Sequence, residues 1–594
     1  MNRLLASTFA GLLATTTAIL PARAGDMTYE RAVNANSETS NWLLHHKDYA
    51  AHRYSALNAI NTGNVKDLHV AFAVGLGGTE SGGKYAFGDL EGTPIVEDGM
   101  MYVTDGWGRV YKIDVTSGTH GTILWKMDPG IDRAWAGDVA CCGVNNRGVA
   151  LWKDKIVSAT LDGRLIVMRK DTGEVVSDRQ IADPAIGETI TLAPLVIRDI
   201  AIVGAAGGEF GMRGYIDGTD LNTGKQVWRT YTIPAKGEPG SETWKGDTNP
   251  AAHGGGSVWE TGTYDPATDT MYWGTGNPGP DYDPEFRPGD NLWTDSVLAM
   301  EPATGKVKWA FQYTPNDPFD YDEISEHPLV DAIIHGQPRK LVIHAARNGF
   351  FYEFDRTTGQ FINGKQYTDN NNWTPGLDPE TGKPANYDPK KDVQPYSAEA
   401  GRTRAHPVGK TCTAHVGGKN WEPSSYNPDL HLLYVGSIEG CDQITTKEQP
   451  KFAADGGTVK PREQFTGGGS RYVEKPVGSL KAIDVLTGEV VAKLAQPYPN
   501  YAGTLATGGG LVFTGLIDGK FSAHDAKTLQ ELWSFNVGTG INAPPISYAV
   551  NGKQYVAVLV GSRQAAAIFG MSRTPWFPFP RNTRSLPTLP VRGR

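Results

Sequence analysis

Two cysteines stand side by side in the segment VACCGVNNRG, residues 139–148, of a chain that has only four cysteines. Adjacent thiols could hold a soft metal ion, act as a redox switch, form a strained disulfide or be neighbours by accident. The Cα atoms of adjacent residues lie at most about 3.8 Å apart, whereas unstrained disulfides prefer about 4.4–6.8 Å. A bond between Cys141 and Cys142 would therefore be strained, and the pair alone leaves all four options open.

Four oxygen-bearing side chains stand in segments rich in glycine or proline. Glu209 lies in AAGGEFG, Asn277 in GTGNPGP, and both Asp320 and Asp322 in PNDPFDYDE. Each residue alone is more typical of a turn, but carboxylate and amide oxygens together suit a hard cation. In an extended segment Asp320 and Asp322 would face the same side. If the three carboxylates shared one shielded ion, they would leave excess negative charge around Ca²⁺, and this would favour a trivalent cation.

The first 24 residues have the pattern of an export signal. Arg3 precedes the apolar stretch LLASTFAGLLATTTAIL, and ARA (22–24) ends in a small residue, as is typical of a cleavage site. No other segment approaches the ~20 continuous apolar residues of a membrane span. We therefore expect cleavage after Ala24, export to the periplasm and no membrane span.

Composition limits the partners and cofactors of the exported chain. The formal net charge is −9, and the loss of Arg3 and Arg23 with the signal makes it more acidic. This charge argues against nucleic acid and anionic membranes as partners. An oxidising compartment permits disulfides. No CxxCH motif is present, so the chain carries no c-type haem of its own, and any electrons it collects must leave to a separate protein or a dye.

A short phrase recurs along the chain and predicts its fold. In each copy a strand ends in Asp or another polar residue, a Thr-Gly turn reverses the chain, and a second strand follows, often with Trp. Glycine supplies the positive φ that such turns need. The copies are KIDVTSG (112–118), VMRKDTGE (167–174), GTDLNTGKQVW (218–228), AMEPATGKVKW (299–309), EFDRTTGQ (353–360), AIDVLTGE (482–489) and AHDAKTLQELW (523–533), with a looser AINTGNVKDLHVAF (59–72).

This repetition predicts an all-β protein, an eight-bladed β-propeller with four short strands in each blade. The recurrent Trp would dock between neighbouring blades. Because no linker divides the chain after the signal peptide (1–24), residues 25–594 are predicted to form one domain. Segments 365–410 and 442–475 are rich in Asn, Pro and Asp and predict long loops on one face, where function is often located. A β-sandwich with coincidental hairpins is the alternative fold.

Eight motifs, taken in order, resemble the type I quinoprotein alcohol dehydrogenases, the methanol and ethanol dehydrogenase family that uses pyrroloquinoline quinone (PQQ). They are DVACCGVNNRG, TLAP, AGGEFGMRGY, GTGNPGP, RPGDNLW, FDYDE, ARNGFFY and GGKNW. The resemblance covers nearly the whole exported chain and implies oxidation of an alcohol to an aldehyde or ketone. It also implies a soluble cytochrome c as electron acceptor, and a homodimer is one option for the oligomeric state.

The resemblance implies a metal ion beside the quinone. In the family, the positions of Glu209, Asn277 and Asp320 bind Ca²⁺ or a lanthanide, and an Asp at the position of Asp322 resembles the lanthanide-dependent members. We therefore expect one lanthanide ion, with Ca²⁺ as the alternative. The metal would act as a Lewis acid on the quinone, and Asp320 would take the hydroxyl proton of the alcohol. Arg347, in AARNGFF, would contact the quinone oxygens, where negative charge grows.

The resemblance also implies how PQQ is held. Trp259 would stack under the ring, and a disulfide between Cys141 and Cys142 would cover the other face. A metal site at these thiols is disfavoured because thiolates are soft ligands, and free thiols are a liability in an oxidising compartment. Ala206 departs from the family, since many relatives have Ser there. Further contacts to the cofactor are expected from Glu91, Arg147, Thr191, Ser257, Asn420 and Trp421.

A second disulfide, between Cys412 and Cys441, is also implied by the resemblance and would pin a long loop to the propeller. A non-catalytic envelope scaffold is the competing function, but it predicts the repeat without the site motifs. A nicotinamide dehydrogenase is rejected: GTGNPG (274–279) satisfies GxGxxG, but PGPDYDP follows where a helix would be needed. The sequence leaves the identity of the alcohol open.

Overall fold

The computed structural model describes residues 25–82, 86–140, 142–246, 249–334, 336–450 and 464–561. The predicted signal peptide and Cys141 lie outside these ranges. Within them the regular structure is almost entirely β-strand, and no helix is long and apolar enough to cross a membrane. The α-helices there are Tyr29–Val33, Arg133–Val139 and Pro250–His253, and the 3₁₀ turns are Ala35–Ser37, Val65–Asp67, Pro184–Ile186, Gly208–Phe210 and Ser241–Thr243.

Seven antiparallel sheets with four consecutive or near-consecutive strands follow one another along the described chain, and we number them 1 to 7. Sheet 1 contains Ile95–Glu97, Met100–Thr104, Val110–Asp114 and Thr122–Met127; sheet 2 contains Val149–Trp152, Lys155–Ala159, Arg164–Arg169 and Val175–Gln180; sheet 3 contains Leu195–Ile197, Ile200–Gly204, Tyr215–Asp220 and Lys225–Tyr231. Sheet 4 contains Thr263–Asp265, Thr270–Gly274, Ser296–Met300 and Val307–Gln312; sheet 5 contains Leu329–Ile334, Gln337–Ala345, Phe350–Asp355 and Phe361–Gln366. Sheet 6 contains Ser425–Asn427, Leu432–Glu439, Val477–Asp484 and Val490–Gln496; sheet 7 contains Thr504–Thr507, Leu511–Gly515, Lys520–Asp525 and Glu531–Asn536.

Sheet 7 joins an N-terminal segment to a C-terminal one, because Tyr54–Ser55 pairs in parallel with Thr504–Thr507. The smaller sheets are the hairpins Ser81–Gly82 with Ala86–Phe87 and Ile546–Val550 with Lys553–Ala557, and a three-stranded sheet of Val408–Thr411, Asp442–Thr446 and Gly468–Tyr472. The three-stranded sheet corrects the prediction of a long loop over 442–475, since both ends of that segment pair as strands. Residues 367–407 form no strand, as predicted.

The recurring phrase forms the turn between the third and fourth strands of a sheet. Asp220 Oδ1 accepts hydrogen bonds from the backbone N–H of Thr223 at 2.8 Å and from its hydroxyl at 3.0 Å. Gly224, which follows, has a φ of 66°. Asp525 closes the last copy in the same way, with Leu529 in the place of glycine at a φ of 60°. The Asp and the residue of positive φ therefore define each turn locally.

Tryptophans of the fourth strands contact the neighbouring sheet. Each indole N–H donates to a backbone carbonyl that lies three residues before the glycine of the next sheet's turn. The pairs are Trp125 with Lys170 at 3.2 Å, Trp228 with Pro302 at 2.9 Å and Trp309 with Arg356 at 3.2 Å. Sheets that follow one another and contact in this way make the chain an all-β propeller.

Candidate active site

Loops from several sheets enclose a cavity of about 350 Å³. The cavity brings together predicted site residues that are distant in sequence, and it leaves out two others. Those that line it are Glu91, Cys142, Arg147, Thr191, Glu209, Trp259, Asp320, Asp322, Arg347, Asn420 and Trp421. Ser257 and Asn277 are buried but do not line it. Cys141 lies outside the described residues, so its bond to Cys142 stays a prediction.

Glu209 reaches the cavity from the short turn Gly208–Phe210. The turn begins at Gly207, whose φ is 116° and where a Cβ atom would lie 2.3 Å from the carbonyl oxygen of Gly187, so only glycine fits. The Oε1 atom of Glu209 lies 3.9 Å from the sulfur of Cys142. Burial raises the pKa of Glu209 to about 7, and the charge of Asp322 adds to the effect. This carboxyl group therefore lies where a cation is favoured.

Asp320 lies in an irregular segment that its neighbour Asp317 organises. The carboxylate of Asp317 accepts hydrogen bonds from the backbone N–H groups of Phe319 at 2.8 Å and Tyr321 at 2.7 Å. Asp320 has a φ of 70°, so the expectation of an extended segment was wrong. Asp320 and Asp322 nevertheless both line the cavity, because the loop, not a strand, directs them there.

Arg347 contacts both of these aspartates. Its Nη1 atom lies 2.8 Å from Asp322 Oδ2, and its Nη2 atom lies 3.8 Å from Asp320 Oδ2. The backbone N–H of Asn277 donates to the other oxygen of Asp322 at 2.9 Å. Burial raises the pKa of Asp320 well above its ordinary value; Arg347 opposes this shift, while Asp322 and Glu209 add to it. The cluster thus holds more negative charge than one guanidinium neutralises.

Arg347 is itself held from several sides. It follows strand Gln337–Ala345, and its backbone N–H donates to Glu323 Oε2 at 2.8 Å. The same carboxylate oxygen lies 2.9 Å from the Nε2 atom of His344. The Nε atom of Arg347 donates to the carbonyl of His415 at 2.9 Å. These contacts fix the guanidinium against the cavity.

Arg147 forms the second cationic group of the cavity. Its guanidinium nitrogens lie 2.9 Å from Glu91 Oε2 and 2.5 Å from Glu260 Oε1, and Nη1 donates to the hydroxyl of Thr191 at 2.9 Å. The guanidinium carbon lies 5.1 Å from the centre of the Trp259 ring. Burial raises the pKa of Glu260 to about 7. A flat indole surface beside a fixed guanidinium suits a planar ligand with carboxylates.

Several cavity residues were not predicted from the sequence. The Tyr282 hydroxyl donates to Asp320 Oδ2 at 3.1 Å, and Asn277 Nδ2 donates to Asp281 Oδ1 at 3.0 Å. Burial and the charge of Asp320 raise the pKa of Asp281 well above its ordinary value. Asp281 and Tyr282 directly follow the GTGNPGP motif. Their position just after the candidate metal ligand Asn277 is the feature of the sequence from which they could have been predicted. Further unpredicted contributions come from Glu260, His415 and Ser470.

The residues present fit a hard cation and a planar anionic cofactor, although the described chain holds no ready-made cluster of three His, Cys, Asp or Glu ligands. The carboxylates of Glu209, Asp320 and Asp322 line one cavity, and all supply hard oxygen donors. The raised pKa values of Glu209 and Asp320 are the expected mark of buried, incompletely balanced negative charge. A bound cation would relieve that imbalance.

A disulfide between Cys412 and Cys441 confirms that prediction, with an S–S distance of 2.01 Å and a separation of 29 residues. Cys441 immediately precedes strand Asp442–Thr446, and Cys412 lies three residues before His415, which lines the cavity. The bond therefore ties the cavity-lining loop to the three-stranded sheet.

Comparison with known proteins identifies the family. Residues 42–367 and 408–556 match the PQQ family of glucose/ethanol/alcohol dehydrogenases, β-propeller domain. The chain is 35% identical over 596 residues to a quinoprotein ethanol dehydrogenase of Pseudomonas putida, with 94% of this chain and 92% of the relative covered. It is 35% identical over 558 residues to a lanthanide-dependent methanol dehydrogenase of Methylacidiphilum fumariolicum (strain SolV), with 90% and 86% covered.

The fold is similar to that of a europium-containing methanol dehydrogenase, with a TM-score of 0.80 and 33% identity. That match covers 91% of this chain and 96% of the other. The proteins that this chain matches are quinoproteins with a β-propeller fold. The chain belongs to the family of PQQ-dependent alcohol dehydrogenases.

Proposed function

We propose that the protein oxidises an alcohol to an aldehyde or ketone in the periplasm, with PQQ, one metal ion and a soluble cytochrome c as electron acceptor. One observation carries the proposal: Asp320 and Arg347 share a cavity with Glu209, Trp259 and Arg147. Proton acceptor, cation ligands, planar surface and fixed positive charge thus meet in one place. Relatives named quinoprotein ethanol dehydrogenase and lanthanide-dependent methanol dehydrogenase support it.

In this proposal, separate sets of residues bind PQQ and the metal ion. When bound, PQQ supplies a quinone that accepts the two electrons of the alcohol, and the metal supplies Lewis acidity. The residues that would hold the metal are Glu209, Asn277, Asp320 and Asp322. Those that would hold PQQ are Glu91, Cys141, Cys142, Arg147, Thr191, Ser257, Trp259, Arg347, Asn420 and Trp421.

Asp320 takes the hydroxyl proton of the alcohol. A bound cation would keep Asp320 ionised, and an ionised carboxylate beside the substrate hydroxyl can accept its proton. The Tyr282 hydroxyl, 3.1 Å from Asp320 Oδ2, and the Arg347 guanidinium, 3.8 Å from the same atom, hold that oxygen in place. Arg347 also provides positive charge where negative charge grows during the reaction.

We propose a lanthanide as the metal. Glu209, Asp320 and Asp322 carry three negative charges when ionised, and Arg347 offsets one of them. PQQ brings carboxylates of its own, so a trivalent cation balances the buried site better than a divalent one. A lanthanide-dependent relative and a europium-containing structural neighbour agree with this choice.

We also propose that the propeller has eight blades within one domain of residues 25–594. The hairpin Ile546–Val550 with Lys553–Ala557 would form the eighth blade together with residues 68–76. The indole N–H of Trp533 donates to the carbonyl of Leu68 at 2.9 Å, in the same manner as the other docked tryptophans. The disulfide of Cys412 and Cys441 agrees with export to an oxidising compartment and loss of residues 1–24.

Reconstitution tests the proposal. The exported form of the chain is loaded with PQQ and either La³⁺ or Ca²⁺, and dye reduction is followed with a panel of primary and secondary alcohols. We expect reduction only when PQQ and a metal are both present, and faster turnover with La³⁺. Loading is checked by the absorbance of bound PQQ and by the rise in melting temperature. A loaded protein that reduces the dye with none of the alcohols would instead support a non-catalytic propeller.

A further inference from the structure

One side of the cavity, beyond Asp320, consists of hydrogen-bonding groups. Three segments build it: residues 281–282, His415 and residues 464–470. Every residue that these segments contribute to the lining is either polar or glycine. We call the side chains of Asp281, Tyr282, His415, Thr466 and Ser470 the polar wall. Pockets for apolar ligands are lined mostly by hydrophobic side chains, so this wall suits a ligand with polar groups of its own.

The polar wall is continuous with the predicted proton acceptor. The Tyr282 hydroxyl donates to Asp320 Oδ2 at 3.1 Å and lies 3.5 Å from the hydroxyl of Ser470. With its proton directed to Asp320, the Tyr282 oxygen can accept a hydrogen bond from a ligand. Asp281 uses Oδ1 to accept from Asn277, which leaves its second oxygen for a hydrogen bond with a ligand. A hydroxyl group close to the reacting one would therefore meet several hydrogen-bonding groups.

His415 adds a further hydrogen-bonding group, and its orientation is fixed. The Nδ1 atom forms a short contact with Asp442 Oδ2, and the same oxygen accepts the backbone N–H of His415 at 2.9 Å. Because a carboxylate accepts, Nδ1 carries the proton of this contact, and Nε2 is the ring nitrogen that Asp442 does not use. The Cys412–Cys441 disulfide joins the two segments that carry this pair. The imidazole is thus held at the cavity surface, with Nε2 as a further hydrogen-bonding atom.

We propose that the polar wall binds a second hydroxyl group of the substrate, so that short polyhydric alcohols are preferred over monohydric alcohols of the same length. This inference rests on the proposed function. A site whose buried polar groups are satisfied by a substrate hydroxyl discriminates strongly against an analogue that lacks it, because those groups are then left without partners. Walls of hydrogen-bonding side chains suit hydroxyl groups, which both donate and accept.

Space is available for such a substrate beside Ser470. Gly469 lines the cavity, and a Cβ atom built there would meet no atom within 4 Å. Its φ lies outside the left-handed region, so a larger residue fits there without backbone strain. Gly469→Val would therefore add bulk to the cavity beside the polar wall without disturbing the fold.

A three-carbon series tests the proposal. With enzyme loaded with PQQ and La³⁺, kcat/KM is measured for 1-propanol, 1,2-propanediol and glycerol, which differ only in the number of hydroxyl groups. We expect kcat/KM to rise along the series, by at least about tenfold from 1-propanol to glycerol. Equal values, or a preference for 1-propanol, would overturn the inference but leave the proposed function standing. A loaded protein that oxidises other alcohols but none of these three would also overturn the inference alone, whereas a loaded protein that oxidises no alcohol would overturn both.

Variants of the polar wall test whether its side chains cause the preference for polyhydric alcohols. His415→Asn keeps an N–H for Asp442 near the position of Nδ1 and removes Nε2, while Ser470→Ala removes one hydroxyl. In both, the ratio of kcat/KM for glycerol to that for 1-propanol should fall at least about fivefold, mainly through a higher KM for glycerol. Gly469→Val should lower kcat/KM for glycerol. Ser534→Ala, on the exposed face of strand Glu531–Asn536, is the matched control and should change nothing.

Each variant is first checked for PQQ loading and for the rise in melting temperature on addition of La³⁺, which shows that it has folded. Unchanged ratios in both His415→Asn and Ser470→Ala, in protein that is fully loaded, would contradict the assignment of the polar wall.

Discussion

Asp322 Oδ2 lies 2.8 Å from Arg347 Nη1, and Asp322 Oδ1 accepts the backbone N–H of Asn277 at 2.9 Å. Asp322 is therefore joined both to the arginine expected to contact the quinone and to a residue expected to bind the metal. In the proposed site, the choice of metal and the position of the guanidinium would depend on the same carboxylate. A change at Asp322 should affect which ion supports activity.

Asp322→Asn should reduce La³⁺-supported activity far more than Ca²⁺-supported activity. The change removes one negative charge and keeps the shape of the side chain, so a trivalent ion loses more electrostatic stabilisation than a divalent one. We expect the ratio of kcat with La³⁺ to kcat with Ca²⁺ to fall at least about tenfold, a difference of roughly 1.4 kcal/mol. An unchanged ratio, or better activity with Ca²⁺ in the unaltered protein, would contradict the proposed metal.

Asp320→Asn should remove the proton acceptor. The loss of a positioned base typically lowers turnover by about 10²–10⁴-fold. Since Asp320 is also expected to bind the metal, kcat is measured at saturating La³⁺ with the metal content of the protein determined by mass spectrometry. Retention of kcat within about tenfold at full metal content would exclude Asp320 as the base.

Arg147→Lys should weaken PQQ binding while preserving the fold. Lysine keeps the positive charge between Glu91 and Glu260, but it cannot bond both carboxylates and the Thr191 hydroxyl with one planar fork. We expect the Kd for PQQ, measured by fluorescence quenching, to rise at least about tenfold. The exposed change Lys527→Arg provides a control for altered basic residues, and an unchanged Kd in Arg147→Lys would contradict the cofactor assignment.

Removal of the Cys412–Cys441 bond should destabilise the protein without abolishing its chemistry. Closing a loop of 29 residues stabilises by about 3–4 kcal/mol in the chain-entropy model. The double variant Cys412→Ser with Cys441→Ser should therefore melt at a lower temperature and show a higher KM, because the His415 loop is less constrained. Melting temperature by calorimetry and KM for the preferred alcohol check this, and a change in neither would show that the bond does not constrain the loop.

Glu353, a buried residue outside the active site, should make the stability of the fold depend on pH. Its side chain is buried in strand Phe350–Asp355, and burial raises its pKa from 4.5 to about 8. Between these two pH values the folded state holds a proton that the unfolded state has lost, so stability falls as pH rises. The slope is at most about 1.4 kcal/mol per pH unit for this group.

Glu353→Gln stays neutral at every pH and should therefore show a shallower loss of stability between pH 5 and 8, with a higher unfolding free energy than the parent near pH 8. Urea unfolding at several pH values measures this, and exposed Glu380→Gln is the control. Parallel curves for the parent and Glu353→Gln would exclude the buried carboxyl as a source of the dependence.

The repeated turns were predictable because their chemistry is local. Asp220, Thr223 and Gly224 contact one another within one turn, so the sequence alone locates the ends of the strands. The cavity residues Glu209, Asp320 and Arg347 were predicted from motifs that resemble the family, not from the repeat of the sequence. The strand over 442–446 was missed because its pairing partners at 408–411 and 468–472 are distant in sequence.

The polar wall could not be predicted for the same reason. Tyr282 is significant only because Asp320, 38 residues later, lies 3.1 Å away, and His415 only because Asp442 fixes its ring. The extended conformation expected for Asp320 failed because Asp317 bonds the backbone around it. Asn277 was predicted to bind the metal, and the sequence does not reveal that its side-chain amide donates to Asp281.

A single-turnover experiment tests the central claim most directly, that the two electrons of an alcohol pass to PQQ bound in this cavity. Protein loaded with one equivalent of PQQ and La³⁺ is mixed anaerobically with an alcohol it oxidises, without dye or cytochrome. We predict that the absorbance of oxidised PQQ disappears and that one equivalent of aldehyde or ketone forms per chain, and that Asp320→Asn slows both changes equally. Formation of the product without PQQ, or an unchanged PQQ spectrum while product accumulates, would contradict the account.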